Sequence, residues 1–471
     1  MDIFNDLRKT KIVATVGPVS NGDIVLEKMI QTGVDVFRLN YSHGTREEHL
    51  NTIETIRKIS QKNKKSVGIL QDLGGPKIRV GELENGKVDL ATGSTVTLTS
   101  SHNSFSDSIP INYKYLHEDV KVGDKILMAD GTIELKVESI DNLKVNCLVI
   151  HGGELLSKKG VNLPASHLRI SAFTDKDKED LFSGIKAGVD FVALSFVRSG
   201  KDVLEVREIL NSIEHPPSLI AKIEKPQAVE NIDEILPLVD GVMVARGDLG
   251  VEMPYYSVPM IQKEIIQKAR ASFKPVITAT QMLSSMVNSP RPTRAEAADV
   301  ANAVLDGTDA LMLSDETAVG QFPIEAITTL HQIAKHVEKD LKFPQEISAN
   351  EHNIAAAISK SAADLAYKLK AKAIFASTTS GNTAKIISSF RPSCPVYGLT
   401  HRESVKRILH LNFGIFPAAC PHFHTADEVF FYSKEYATAN NIAKEGDIII
   451  VVSSFPIGIP GSTNILKVLK V

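Results

Sequence analysis

The sequence predicts an α/β protein: a (β/α)8 TIM barrel, an inserted β-barrel-like lid domain and a carboxy-terminal open α/β domain. Eight short apolar segments rich in β-branched residues alternate with amphipathic stretches, a pattern typical of parallel strands joined by helical crossovers. One interval between two of these segments is longer than a hundred residues and contains turn signals instead of helices. At 471 residues, the chain is also long enough for two or three domains.

The eight apolar segments are the predicted barrel strands. They lie at 11–17, 35–43, 66–73, 189–198, 219–225, 241–248, 275–281 and 310–316. Eight parallel strands close a barrel of this kind, and helices fit between most consecutive pairs. One such helix is predicted at Asp175–Ala187, with an N-cap at Thr174 or Asp175 and Gly188 after its end. Residues 1–75 and 171–340 are therefore assigned to the barrel.

The long interval and the end of the chain follow other patterns. Turn signals such as Asn85-Gly86 and Asp130-Gly131 separate short strand-like runs, so residues 76–170 are assigned to an inserted β domain. Beyond residue 341, strand-like and helix-like segments alternate again, which predicts an open α/β domain over 341–471. Its predicted strands are 373–378, 396–400 and 447–453, and its predicted helices are 354–369, 383–389 and 426–443.

Composition excludes several classes of function. The formal net charge of −3, from 53 basic and 56 acidic residues, gives no electrostatic basis for binding nucleic acid. The three cysteines lack metal-ligand spacing and argue against a disulfide framework, which favours a reducing compartment. The first eleven residues carry no apolar stretch, and no apolar run is long enough to cross a bilayer. We therefore predict a cytoplasmic protein with neither nucleic acid nor membrane as partner.

Polar residues gather where the predicted barrel strands end, which is where chemistry occurs in this fold. A single charged pair there has an even chance of being a structural salt bridge. Charges on so many strands are harder to explain that way, because buried ion pairs add little net stability. A polyanionic ligand with a metal ion explains them together. The residues concerned are Arg38, Asn40, Ser42, His43, Asp72, Ser195, Arg198, Lys222, Glu224, Arg246, Asp248, Thr280, Gln281, Ser314 and Glu316.

Glu224 and Asp248, on adjacent predicted strands, form a candidate site for Mg²⁺ or Mn²⁺, which favour one or two carboxylates together with substrate oxygens and water. Strand alternation is expected to place Lys222 on the face of Glu224, and Arg246 on the face of Asp248. An ammonium about 4 Å from a phosphoryl oxygen contributes on the order of 4 kcal/mol at an effective dielectric constant near 20. The alternative for Lys222 is a salt bridge at the barrel mouth.

Seven motifs, in order along the chain, resemble the pyruvate kinase family over nearly its whole length. They are TKIVATVGP at 10–18, RLNYSHG at 38–44, GVNLP at 160–164, AKIE at 221–224, MVARGDLG at 243–250, ATQML at 279–283 and PRPTRAE at 290–296. The resemblance implies phosphoryl transfer from phosphoenolpyruvate to ADP, giving pyruvate and ATP in the last step of glycolysis. It also implies a homotetramer, since relatives usually form one.

The resemblance also implies roles for the matching residues. Glu224 and Asp248 would hold the divalent cation, while Arg38 and Lys222 would hold the phosphoryl group in flight. Thr280 and the backbone next to Asp248 would bind the substrate carboxylate. That backbone segment is Ala245, Arg246 and Gly247.

Further roles concern the nucleotide and the proton. Nucleotide phosphates would contact Pro18, His43, Arg79 and Lys159. Ser314 and Glu316 would belong to the relay that protonates the enolate after transfer. The inserted domain, with Asp130 facing the cleft, would be a lid that excludes water.

Two residues depart from the family pattern. Relatives that require potassium carry a glutamate at the position of Lys77 and a hydroxyl residue at that of Leu73. The expected monovalent-cation ligands are Asn40, Ser42, Asp72 and Leu73. We predict that the Lys77 ammonium takes the place of K⁺ and makes it dispensable; the alternative is an exposed lysine on a lid hinge.

Asp315 replaces a glycine that is usual in the family. Its carboxylate could raise the pKa of neighbouring acids by like-charge repulsion, or it could point outward without effect.

The segment Thr378-Thr379-Ser380-Gly381-Asn382-Thr383 follows a predicted strand and begins a predicted helix, a favourable place for a phosphate. In the family this loop binds a regulatory sugar phosphate or nucleotide; the alternative is a capped turn rich in hydroxyl residues. The facing loop at 455–464 contains no Lys, Arg or Trp, which favours a monophosphate effector over a bisphosphate.

Two other functions compete with this interpretation. A metal-dependent lyase on a similar barrel would use comparable Glu and Asp ligands, but it would not need the inserted lid or Arg79. A non-enzymatic ligand sensor would keep the fold and lose catalytic residues. All of those residues are present here, which favours the enzyme; they are Arg38, Lys222, Glu224, Asp248 and Thr280.

Overall fold

The structure is a computed structural model that describes residues 7–100, 108–164, 169–345, 347, 353–457 and 462–471. The chain begins with three parallel strands and two helices. They are β1 (Lys11–Val16), α1 (Asp23–Thr32), β2 (Val36–Asn40), α2 (Arg46–Lys62) and β3 (Gly68–Asp72).

A β-rich domain follows β3, as the long interruption predicts. Its core is separate from that of the barrel and includes Leu98, Ile126, Leu135 and Val145. Six strands form one sheet in the order β11-β7-β8-β9-β5-β6, and β10 pairs with β4. The elements are β4 (Lys87–Leu90), β5 (Thr95–Thr99), β6 (Ser108–Pro110), α3 (Leu116–Asp119), β7 (Lys125–Met128), β8 (Ile133–Asp141), β9 (Lys144–His151), β10 (Gly153–Leu156) and β11 (Val161–Asn162).

The barrel then resumes with α4 (Asp175–Ala187). Thr174 caps this helix through the backbone N–H of Asp177, and Gly188 ends it with φ of 77°, as the sequence predicts. The remaining elements are β12 (Phe191–Leu194), α5 (Gly200–Asn211), β13 (Ser218–Ile223), α6 (Pro226–Glu230), α7 (Ile232–Ile235), β14 (Gly241–Ala245), α8 (Arg246–Glu252), α9 (Val258–Ala271), β15 (Val276–Ala279), α10 (Arg294–Leu305), β16 (Ala310–Leu313), α11 (Asp315–Ala318) and α12 (Pro323–Val337).

The eight parallel strands close in the order β1-β16-β15-β14-β13-β12-β3-β2, which confirms the predicted barrel. Apolar side chains fill its interior, among them Val13, Leu70, Met243 and Ile277. Leu411, from the carboxy-terminal part of the chain, packs into the same cluster and is fully buried. With the interior packed, polar chemistry is confined to the ends of the strands.

The carboxy-terminal part forms a five-stranded sheet in the order β19-β18-β17-β20-β21, in which only β21 runs antiparallel. It confirms the predicted open α/β fold; the exact division at residues 75, 170 and 340 stays a prediction. The elements are α13 (Ile354–Lys368), β17 (Ala373–Ser377), α14 (Asn382–Ser389), β18 (Val396–Thr400), α15 (Glu403–Ile408), β19 (Ile415–Ala419), α16 (Ala426–Ala439), β20 (Ile448–Ser454) and β21 (Thr463–Lys470).

The observed barrel strands end earlier than predicted. The sixth strand is predicted at 241–248, but the observed strand β14 ends at Ala245 and α8 begins at Arg246. The expectation that Arg246 and Asp248 lie on one strand face is therefore wrong, because alternation does not continue into a helix. Among the described helices, none is both long and apolar enough to cross a membrane.

Candidate active site

Lys222 is the centre of an ion cluster at the carboxyl ends of the barrel strands. Its Nζ lies 2.8 Å from Glu224 Oε1 and 3.2 Å from Asp72 Oδ1, and it donates a hydrogen bond of 2.8 Å to Ser195 Oγ. Burial alone would lower the pKa of Lys222, but the negative charges of Asp72 and Glu224 outweigh it and raise that pKa. The ammonium therefore stays charged at neutral pH.

Arg38 holds the other side of this cluster. Its Nε and Nη2 lie 2.8 Å and 2.6 Å from Asp72 Oδ2, and its Nη1 donates to Thr15 Oγ1 at 3.0 Å. Burial would raise the pKa of Asp72, but Lys222 and Arg38 lower it. Both oxygens of this buried carboxylate thus face cations.

The predicted monovalent-cation ligands lie around Asp72, and oxygen atoms of Asn40, Asp72 and Leu73 already have protein partners. Asn40 Oδ1 accepts the backbone N–H of Ser42 at 3.1 Å. The carbonyl of Leu73 accepts the hydroxyl of Ser195 at 2.8 Å, and the Leu73 side chain is buried. An ion here would compete with Lys222 and Arg38 for Asp72.

The two predicted metal ligands differ in environment. Glu224 is buried, and its Oε2 accepts the backbone N–H of Phe196 at 2.9 Å. Asp248 lies exposed in the cleft, where the walls remove part of its hydration. This desolvation and the negative charge of Glu224 raise the pKa of Asp248 to about 6, against the opposing effects of Lys222 and Lys77.

Two neighbouring carboxylates that repel each other fit a divalent cation. Among the described residues, no group of three or more His, Cys, Asp and Glu side chains could hold a metal ion alone. A metal between Glu224 and Asp248 would therefore need oxygen ligands from substrate and water, as is usual for Mg²⁺.

Lys77 lies in the same cleft. Desolvation by the cleft walls and the charge of Lys222 lower its pKa, while Asp248 and Glu224 oppose that shift. Its ammonium therefore lies within electrostatic reach of both candidate metal ligands. Lys77 is exposed in this cleft, so the replacement of K⁺ by its ammonium and the alternative of an exposed lysine on a lid hinge both stay predictions.

Thr280 and the start of α8 form the next part of the site. The backbone N–H of Gly247 donates to Thr280 Oγ1 at 2.6 Å, and a Cβ added at Gly247 would lie 3.2 Å from that oxygen. Thr280 and Gln281 have φ of 67° and 55°, a conformation uncommon for residues other than glycine. The close approach of the two segments therefore favours glycine at position 247.

The side chain of Arg246 is turned to structural partners. Its Nη1 lies 2.7 Å from Asp299 Oδ1, and its Nη2 donates to the carbonyl of Thr280 at 2.9 Å. A binding role of this segment is therefore expected of the backbone of Ala245, Arg246 and Gly247 and not of the guanidinium. The guanidinium stabilises the turn that carries Thr280.

The predicted protonation residues have separate environments. Glu316 is buried, and its two oxygens accept the backbone N–H groups of Leu283 at 3.0 Å and Ser314 at 2.7 Å. Ser314 Oγ is buried without a hydrogen-bond partner among the described residues. The hydroxyl of Ser314 is thus available for a hydrogen bond, whereas Glu316 fixes the backbone around it.

The predicted nucleotide contacts are divided between two cavities. A cleft of about 440 Å³ between the lid and the barrel is lined by Arg79, Asp130 and Lys159, together with Lys77 and Asp248. A second cavity of about 790 Å³ is lined by Pro18, Arg38, Asn40 and Asp315. His43 lines both and joins them.

His43 is surrounded mainly by cations. Desolvation and the positive charges of Lys77, Arg79 and Arg38 lower the pKa of its imidazole, and Asp315 opposes them. Asp315 is exposed and lines the second cavity, and its charge opposes the lowering of the His43 pKa. An effect of Asp315 on neighbouring acids stays a prediction.

The sequence did not reveal the contact between lid and barrel. Glu252, at the end of α8, accepts a hydrogen bond of 2.7 Å at its Oε1 from Nδ2 of Asn162 in β11. The same Oε1 lies 2.5 Å from Nζ of Lys225. Lys225 also lines the 440 Å³ cleft. Only the GVNLP motif around Asn162 pointed to this region, and it did not identify Glu252 as partner.

The predicted effector loop joins β17 to α14, as expected. Thr378 Oγ1 accepts the backbone N–H of Gly381 at 2.9 Å, and the hydroxyls of Thr383 and Thr463 lie 2.7 Å apart. Thr379, Ser380 and Asn382 complete the loop. Of the facing loop, residues 458–461 lie outside the described residues.

Comparisons with known proteins agree with this geometry. The chain matches the family model "Pyruvate kinase, barrel domain" over residues 7–327 and "Pyruvate kinase, alpha/beta domain" over residues 356–469. It is 45% identical to a pyruvate kinase of Clostridium perfringens, over 99% of this chain and 100% of the relative. It is 44% identical to that of Geobacillus stearothermophilus, over 98% of this chain and 80% of the relative.

Among solved structures, a pyruvate kinase from Cryptosporidium parvum superposes with a TM-score of 0.92 at 35% identity. The match covers 100% of this chain and 97% of that structure.

Proposed function

Because this chain belongs to the pyruvate kinase family, we propose roles for the residues of its barrel mouth in the reaction of that family. The enzyme is a phosphotransferase that transfers a phosphoryl group from phosphoenolpyruvate to ADP. One observation carries the proposed roles: Lys222, Arg38, Asp72 and Glu224 converge at one end of the barrel.

Lys222 and Arg38 hold the phosphoryl group during transfer. Such transfers proceed through a loose transition state, so the protein contributes mainly position and charge. The group leaves the enol oxygen of phosphoenolpyruvate and joins a β-phosphate oxygen of ADP. Because carboxylates already fix both cations, they need no reorganisation as charge develops. The ammonium of Lys222 then stabilises the enolate.

The backbone of Ala245, Arg246 and Gly247, together with Thr280, binds the substrate carboxylate. The N–H of Gly247 now donates to Thr280 Oγ1 at 2.6 Å. A substrate carboxylate takes the place of that oxygen as acceptor. The threonine hydroxyl, which donates to the carbonyl of Ala279 at 2.6 Å, turns to the carboxylate as a second donor. The start of α8 favours this negative charge.

Glu224 and Asp248 hold Mg²⁺ or Mn²⁺, and enzymes of this family generally need a divalent metal ion and K⁺. The metal supplies neutralisation of the phosphoryl charge. The environment of Asp248 supports this assignment: desolvation in the cleft and the negative charge of Glu224 raise its pKa, and a cation held by both carboxylates would offset that effect.

Lys77 takes over the electrostatic role of potassium in this chain. Its ammonium shares the lid cleft with Asp248, and Arg38 and Lys222 already occupy both oxygens of Asp72. Asn40, Ser42, Asp72 and Leu73 then need no bound ion.

Ser314 belongs to the relay that protonates the enolate: its hydroxyl gives a proton to the enolate carbon and regains one from solvent water, so that the serine ends neutral. Its buried Oγ has no protein partner among the described residues, which leaves it available for a hydrogen bond to substrate or water. Glu316 is a positioning residue in this scheme, since both of its oxygens bind backbone N–H groups.

Nucleotide phosphates bind in the lid cleft beside Arg79 and Lys159, and the nucleoside binds in the cavity near Pro18. His43 lies where the two parts meet. Closure of the lid, which carries Asp130, keeps water from the phosphoryl group.

The remaining expectations belong to the same proposal. The barrel comprises 1–75 and 171–340, the lid 76–170 and the regulatory domain 341–471. A phosphorylated metabolite binds at Thr378–Thr383 as allosteric effector, and the enzyme works as a cytoplasmic homotetramer.

A metal titration tests the site. Pyruvate formation from phosphoenolpyruvate and ADP is followed through lactate dehydrogenase at increasing Mg²⁺. Glu224→Gln removes one ligand, so we expect half-maximal activity to require at least about tenfold more Mg²⁺. Glu208→Gln, on an exposed surface, is the matched control. Equal metal dependence in both variants would refute the site, and pyruvate formed at the full rate without ADP would indicate that water, and not ADP, accepts the phosphoryl group.

A further inference from the structure

A second charged cavity lies at the opposite end of the barrel. It is a cleft of about 660 Å³ between the segment that precedes β1, the end of α12 and the carboxy-terminal domain. The domain contributes the turn between α13 and β17 and the segment before β18. The cleft therefore adjoins the amino ends of β17 and β18, whereas the loop at 378–383 follows the carboxyl end of β17.

Six lysines line this cleft, and they come from both domains. Among the described residues that line the cleft, Glu338 is the single acidic one. Its two oxygens accept the backbone N–H groups of Lys9 and Thr10, each at 2.7 Å, so hydrogen bonds already occupy this carboxylate. The six are Lys9, Lys335, Lys339, Lys368, Lys370 and Lys372.

Helix ends explain only part of this cluster. Lys335 and Lys368 lie in the last turns of α12 and α13, where a cation is stabilised by the helix dipole. That reason does not extend to Lys339, Lys370 and Lys372, which lie beyond the helices.

Four of these positive charges have no nearby compensation within the described part of the chain. Within the described part of the chain, no carboxylate lies within 4.0 Å of the ammonium of Lys339, Lys368, Lys370 or Lys372. Lys9 is fixed at the wall, where its Nζ donates to the carbonyl of Ser393 at 2.8 Å and lies 4.1 Å from the ring centre of Phe343. Like charges at close quarters repel, and an anion between them relieves that repulsion.

We propose that this cleft binds a small polyphosphate, whose phosphate groups bridge the lysines of the barrel and those of the carboxy-terminal domain. The volume lies within the range of small-molecule sites, which is about 300–1,000 Å³. Lysine ammonium groups bind phosphate as point charges. The polyphosphate is inorganic or belongs to a nucleotide; the exposed ring of Tyr367, 59% accessible at the rim, offers a stacking surface for a base.

The cleft is suited to binding and not to covalent chemistry. Cys394 is the nucleophilic side chain in its wall, and burial raises the pKa of that thiol to about 12. The thiolate is therefore absent at neutral pH. The bound anion acts through charge alone and links the two domains.

Calorimetric titration with sodium tripolyphosphate, without Mg²⁺, tests the proposal on the full-length enzyme. The variant K368Q/K370Q/K372Q should lose one site per chain or bind there at least about tenfold more weakly. The matched control K28Q/K136Q/K434Q removes three exposed lysines outside the cleft and should bind as the parent does. Tripolyphosphate binding should weaken as the salt concentration rises from about 50 to about 250 mM, because salt screens the lysine charges.

Two further measurements keep the outcome clear. The charge-retaining variant K368R/K370R/K372R should restore the site, and pyruvate formation without tripolyphosphate should stay within about twofold of the parent in every variant. Tighter binding of ATP than of tripolyphosphate at this site, lost in Tyr367→Ala, would assign a nucleotide; equal binding would assign an inorganic polyphosphate. Equal titrations of the glutamine variant and the lysine control would overturn the proposal.

Discussion

The two ends of the barrel hold positive charge in different ways. At the carboxyl end, Lys222 lies between two carboxylates and Arg38 forms a two-pronged contact with one of them. At the amino end, Lys370 and Lys372 line a cleft in which Glu338 is the one acidic side chain among the described residues. Both oxygens of Glu338 accept hydrogen bonds from backbone N–H groups. Paired cations are fixed in place, as catalysis requires, whereas unpaired ones give a field that attracts anions of varied shape.

The largest effect should follow from removing the central paired cation. Lys222→Met leaves Asp72 and Glu224 without their shared ammonium and removes the charge next to the phosphoryl group, so kcat should fall by about 10³-fold or more. Steady-state kinetics measure this loss. Lys178→Met, at an exposed site on α4, should keep the parental rate. A loss of less than about tenfold in Lys222→Met would show that the paired cluster is structural.

The next effect concerns potassium. The parent should be equally active with K⁺ or tetramethylammonium as counterion, because the Lys77 ammonium supplies the charge. Lys77→Glu should depend on K⁺, with saturable activation of about tenfold or more.

Lys77→Gln is the control for that experiment, since it lacks both the ammonium and the carboxylate. It should lose activity without rescue by K⁺. Strong activation of the parent by potassium would contradict the assigned role of Lys77.

A smaller effect is expected at the contact between lid and barrel. Asn162→Ala removes the hydrogen bond to Glu252, and a bond to a charged group contributes about 1.5–3 kcal/mol when it is well shielded. Because Asn162 is only half-buried, kcat/KM for ADP should fall by about three- to tenfold. Asn85→Ala, in an exposed turn of the lid, should change nothing. Identical kinetics for both variants would separate this contact from lid closure.

The smallest effect should come from Asp315. Asp315→Gly removes a negative charge that raises the pKa of His43, so that pKa should fall further below the ordinary value of histidine. The imidazole then stays neutral to lower pH, and the rate at neutral pH should change by less than about twofold. NMR titration of His43 reports the shift directly. An unchanged pKa of His43 in Asp315→Gly would show that the charge of Asp315 is screened by solvent and does not reach the imidazole.

The sequence predicted the barrel because local pattern and chain topology agree there. Buried parallel strands need β-branched apolar runs, and the eight observed strands fall almost entirely within the predicted ranges. In the carboxy-terminal domain, two strands were missed. Strand β19 contains Pro417 and lies at a sheet edge, where proline is tolerated but argues against a strand in sequence. Strand β21, at the other edge, is mostly exposed and lacks a clear apolar face.

Side-chain partners were harder to predict than elements. Motifs placed Lys222 beside Glu224, because two residues of one strand must share a face. Arg246 was misplaced because the strand turns into a helix at that residue. Asn162 and Glu252 lie 90 positions apart, and no local pattern reports such a contact. The basic cleft likewise joins Lys9 with lysines near residues 335 and 370, which only the tertiary fold brings together.

Leu411 gives the carboxy-terminal domain a structural role in the barrel. Its side chain packs with Val13, Leu70 and Met243, so the last domain supplies part of the filling of the first. A chain that stopped at residue 340 would lack Leu411 and would expose these apolar side chains to water at the amino end of the barrel. Exchange of this domain between relatives should therefore succeed only where the incoming segment carries an apolar plug of matching size.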